Sequence, residues 1–80
     1  MADEKTIRAL EAIADLVRGS AERGKIEAAV KAARKLAPVP DLAEELSVWE
    51  KKLDVILKEP VGREGMARHV SHWIEKLKNN

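Results

Sequence analysis

The sequence predicts an all-α domain, a small four-helix bundle-like unit that begins with an antiparallel helical hairpin. Three observations carry that prediction. Apolar residues recur at gaps of three and four in four successive segments, the period of one face of an α-helix. Most of the Gly and Pro residues fall between those segments, where they interrupt helices. Ala and charged residues dominate while Phe, Tyr, Gln and Cys are absent, a usage that favours helix by intrinsic propensity. No stretch alternates with the period of two that a half-buried strand requires.

The first helix is expected over residues 3–22. Asp3, Glu4 and Thr6 supply acidic or capping groups at its start. Ile7, Leu10, Ala14, Val17 and Ala21 form its apolar stripe, widened by Ile13 and Leu16, with Arg8, Glu11, Asp15, Arg18 and Glu22 opposite. Gly19 interrupts the pattern and marks a place for a break or kink. Gly24 suits the left-handed position just past a helix end, so the turn is expected there and the second helix over residues 25–37. A connection this short makes the two helices antiparallel neighbours. Ile26, Ala29, Val30, Ala33 and Leu36 are its inward side, and the surrounding Ala residues allow close helix approach. The stretch VRGSAERGKIEAAVKAARKLAP has the look of a generic helical hairpin, without tetratricopeptide spacing.

Pro38 and Pro40 hold the next connection extended. Asp41 is expected to cap a third helix over residues 41–58, with Glu44 at capping-box spacing. Leu42, Leu46, Trp49, Leu53 and Ile56 form a strict 4-3-4-3 seam, the clearest periodic signal in the chain. Gly62 and Gly65 suggest that KEPVGREG is a loop or a weak first turn. The fourth helix is therefore expected over residues 64–78, with Met66, Val70, Trp73, Ile74 and Leu77 inward. No linker divides the 80 residues, so they are expected to form one domain.

Fifteen Lys and Arg stand against fourteen Asp and Glu, a formal net charge of +1. That is no global footprint for nucleic acid or for a membrane surface. The distribution is uneven: residues 24–37 hold four bases and one acid, residues 38–59 three bases and six acids. Without cysteine there is no disulfide and no thiolate ligand. The polar, acidic start does not read as a signal peptide and no run is long enough to span a bilayer. A soluble, cytoplasmic protein is the expectation.

His69 and His72 stand three apart on the fourth helix and could hold one edge of a metal ion. Zinc needs a third and usually a fourth ligand, and no motif marks one, so neither metal nor cofactor is expected. Arg68, His72 and Lys76 form a basic row on the same helix, and Lys31, Arg34 and Lys35 a second row on helix two. Contiguous rows could meet phosphates of a nucleic acid or another anion, though exposed aromatics for base stacking are missing. No nucleophile sits in G-x-S-x-G, and Ser71 points about 100° away from the adjacent His72 on a helix. No enzyme is expected.

Val48 and Val55 are seven apart, on one face of the third helix, with Lys52 between them. At about 100° per residue they point away from the Leu42–Ile56 seam. Either the helix is central and buried on two sides, or two isolated valines are simply exposed, which is common, or the strip meets a partner. The leading expectation is a non-enzymatic protein–protein interaction module, an adaptor or self-associating domain with Val48, Lys52 and Val55 in the contact. The alternative is a nucleic-acid- or anion-binding domain using the basic rows of helices two and four.

Overall fold

A computed structural model describes residues 4–79. Four helices follow one another: α1 (Glu4–Arg18), α2 (Arg23–Leu36), α3 (Pro40–Ile56) and α4 (Pro60–Lys78), with no strand among the described residues. The Cα envelope measures 34 × 18 × 18 Å. A 19-residue helix such as α4 is about 28 Å long at 1.5 Å per residue, so the helices run along the long axis. α1 packs closely on α4 and α2, and α2 packs equally closely on α3. α3 meets α4 only loosely, and the backbones of the diagonal pairs α1–α3 and α2–α4 do not approach each other. The section is therefore a square with one open seam. No helix among the described residues is long and apolar enough to cross a membrane.

The predicted stripes form the core. Leu10, Ile13, Ala14, Val17, Ile26, Val30, Ala33, Leu42, Leu46, Trp49, Leu53, Met66, Val70, Trp73 and Leu77 are all buried. Ala67 joins them. Small residues on facing helices let backbones approach, and buried Ala14 on α1 and Ala67 on α4 lie in the closest pair.

The helix ends differ from the sequence expectations, each for a local reason. α1 stops at Arg18, not residue 22. Ala21 N–H bonds to Leu16 O at 2.9 Å and Ser20 N–H to Val17 O at 3.2 Å. This is a Schellman closure with Ser20 left-handed at φ 58°. Gly24 is not the turn residue; it lies in the first turn of α2. Thr6 does not cap its own helix. Its buried hydroxyl donates to Leu36 O at 2.8 Å and satisfies a carbonyl at the end of α2. α2 ends there, which leaves Leu36 partly exposed rather than in the core. Asp3 lies outside the described residues.

The later starts are set by proline. Asp41 is not the cap of α3: Val39 holds that position, extended ahead of Pro40, and makes no side-chain cap bond. Proline forces its predecessor out of the helical region and itself fits the first helical position. Glu59 and Pro60 repeat the arrangement at α4. Residues 60–65 are thus helical and not a loop. Gly62 belongs there because a Cβ would lie 2.1 Å from the Ile56 carbonyl oxygen. The start of α4 crosses the end of α3 at a distance only glycine permits.

Candidate functional site

α3 is held on both flanks. Toward α2, Glu50 stands 3.4 Å from Arg34, and Asp54 pairs with Arg23. Toward α4, the Glu45 carboxylate accepts a 2.6 Å hydrogen bond from Trp73 Nε1 and stands 3.5 Å from His69 Nδ1. Of these three acids of α3, only Glu50 meets a member of a basic row, Arg34; Asp54 pairs with Arg23 and Glu45 with Trp73 and His69. The arc between these flanks has no neighbour. It carries Glu44, Val48, Lys51, Lys52 and Val55, all exposed.

Val48 is 43% exposed and Val55 73% exposed. α3 therefore does not bury a second side, and the valine strip faces outward. A further exposed apolar side chain lies on α4. Val61, 77% exposed, sits in the first turn of α4. Counting about 100° per residue, it heads the row of Gly65, Arg68, His72 and Lys76. Sequence reasoning missed Val61 because Gly62 suggested a loop. The signal was its place one turn ahead of Gly65 in that row.

The loose α3–α4 seam is filled by aromatic side chains. The His69 ring lies edge-on to Trp49, with centroids 6.4 Å apart and planes at 65°. Lys76 Nζ lies 4.8 Å from the centroid of the Trp73 ring, where the electron-rich face attracts a cation. Glu45 satisfies the one polar atom of the buried Trp73 side chain. On the other flank of α4, Ser71 Oγ accepts a 3.2 Å hydrogen bond from Arg18 of α1. Ser71 and His69 therefore face different helices. Among the described residues, no three His, Asp or Glu side chains converge as a metal would require.

The basic rows are separate. They ride on α2 and α4, which occupy opposite corners of the square. Several members already have partners: Lys31 lies 3.4 Å from Glu27, Arg34 is engaged with Glu50, and Arg68 lies 3.5 Å from Glu64. Such exposed pairs contribute little to stability, but they reduce the free charge of each row. Lys35 and His72 are exposed and in no ion pair among the described residues.

No protein-family model matches the chain, and neither a curated protein nor a solved structure is significantly similar to it.

Proposed function

We propose that the chain is a non-enzymatic protein–protein interaction module that works by contact through the outward arc of α3. Val48, Lys52 and Val55 form the centre of the contact and Val61 its edge. One observation carries this reading. The exposed large apolar side chains among the described residues are Leu36, Val39, Val48, Val55 and Val61. They all belong to α3 or to the turns and helix ends beside it. Singly exposed apolar residues are ordinary on any protein. Val48 and Val55 share one outward face of α3, and the others lie at the turns at its two ends, a distribution that suits a partner lying along this helix.

Contact with a different protein fits this surface better than self-association. Two α3 helices laid antiparallel with Val48 against Val55 would bring Lys51 against Lys52 at the two-fold axis. Like charges meeting there oppose the pairing. A partner with carboxylates around an apolar strip meets no such penalty, so the adaptor role is the one we adopt. We place the module in the cytoplasm, since a chain without cysteine needs no oxidising compartment to fold.

The test joins two measurements. Light scattering at low and high salt gives the mass in solution, and affinity capture from the native cells compares wild type with Val48→Asp/Val55→Asp. The expected outcome is a monomer at both salts and a partner retained by wild type alone, with both proteins melting alike. A monomer that captures nothing, or a partner held equally by the variant, refutes the proposal.

A further inference from the structure

We infer that the partner of the α3 contact is an acidic amphipathic helix of another protein, which lies along Val48 and Val55 and offers carboxylates to Lys51 and Lys52; this rests on the reading of α3 as a contact surface. The two valines stand two turns apart, about 10.5 Å along α3 at 1.5 Å per residue. A partner helix repeats its side chains at the same interval and can set one apolar residue beside each valine at a shallow crossing. An extended strand does not match that interval. At about 3.3 Å per residue, its same-face side chains fall about 6.6 or 13 Å apart.

Charge decides the kind of helix. Lys51 and Lys52 are exposed and lie about 50° to either side of the valine strip, counting 100° per residue. Neither is in an ion pair among the described residues. On a helix surface, the neighbours of a side chain stand three and four positions away. For Lys52 these are Val48, Trp49, Val55 and Ile56, none of them acidic. For Lys51 they are Ser47, Val48, Asp54 and Val55, and Asp54 is held by Arg23 of α2. The other helices pair their charges internally: Arg8 with Glu4 on α1, Arg23 and Lys31 with Glu27 on α2, Arg68 with Glu64 on α4. Among the described residues α3 has no such internal pair, because Glu45, Glu50 and Asp54 are turned to its neighbours. Two lysines therefore flank the apolar strip without carboxylates of their own. The complement is a helix with apolar residues two turns apart and Asp or Glu on both sides of them.

The test pans a display library of random peptides on the wild-type chain and discards every peptide that also binds Val48→Asp/Val55→Asp. The retained sequences are expected to repeat apolar residues at gaps of three and four and to carry Asp and Glu well above Lys and Arg. Synthetic copies of the strongest should gain helicity on binding. Their affinity should fall about tenfold or more in Lys51→Glu/Lys52→Glu, since one exposed ion pair carries up to about fivefold. It should also fall as salt rises from about 0.1 to 1 M, where the Debye length shrinks from about 10 to 3 Å. Exchanging the acids of the peptide for lysine should restore binding to that variant. Lys5→Glu/Lys25→Glu makes the same change in net charge at exposed positions of α1 and α2 and should leave binding unchanged. Retained peptides with neutral or basic flanks, an alternating apolar pattern, or equal loss in Lys5→Glu/Lys25→Glu overturn the inference and leave the α3 contact standing. If no peptide distinguishes wild type from Val48→Asp/Val55→Asp, the contact itself falls, and the inference with it.

Discussion

Replacing Gly62 and Gly65 by alanine makes the same chemical change twice, three residues apart in one helix, with opposite expected outcomes. A Cβ at Gly65 meets nothing within 4 Å. Alanine there gains helix propensity alone, about 0.5–1 kcal/mol. A Cβ at Gly62 falls 2.1 Å from Ile56 O and 3.0 Å from Ile56 C. Those are backbone atoms and cannot rotate away, so the first turn of α4 must shift off the end of α3. Overpacking of this kind costs about 1–3 kcal/mol, against which the propensity gain offsets about 1 kcal/mol. The two variants should differ by about 2 kcal/mol, with Gly65→Ala above wild type and Gly62→Ala below it. For a domain of this size, 1 kcal/mol moves the Tm by about 4–8 °C, so the melts should stand roughly 10 °C apart or more. Thermal and urea unfolding followed by circular dichroism read the difference, with unchanged m-values showing that both remain two-state. Equal shifts, or a stabilised Gly62→Ala, would refute the close crossing of α3 and α4.

Three further substitutions probe the frame. Ser20→Gly relieves a left-handed non-glycine residue and should raise stability by about 0.5–1 kcal/mol in urea melts. Thr6→Val keeps the buried volume but removes the donor to Leu36 O, and should cost about 0.5–1.5 kcal/mol with earlier hydrogen exchange in the last turn of α2. A double-mutant cycle of Glu45→Ala and Trp73→Phe should show a coupling energy of about 1 kcal/mol, since the carboxylate and the indole share one hydrogen bond; additive effects would mean that the seam is held by packing alone.

The apolar periodicity made the core legible. Leu42, Leu46, Trp49 and Leu53 repeat at gaps of four and three and are all buried, because a helix leaves such a run only one face to share. The same counting turned Val48 and Val55 outward, and they are outward. Helix boundaries were less legible because two devices compete for the same job. Capping residues suggested a start at Asp41, but Pro40 is itself a suitable first residue and moves the start forward. Glycine suggested a left-handed turn at Gly24, while Ser20 takes that conformation under the Schellman bonds that surround it. Gly62 read as a helix breaker and is a spacer between two helices. The Glu45–Trp73 bond joins residues far apart in sequence, and no local pattern announces such a pair.

The outward arc of α3 is the claim on which the functional account stands, and site-directed photo-crosslinking in the native cells tests it most directly. A photoreactive residue at position 55 is compared with one at exposed Ala12 of α1. The account predicts one discrete adduct from position 55, abolished by Val48→Asp, and none from position 12. Adducts of equal yield from both positions, or an adduct from position 12 alone, would contradict it.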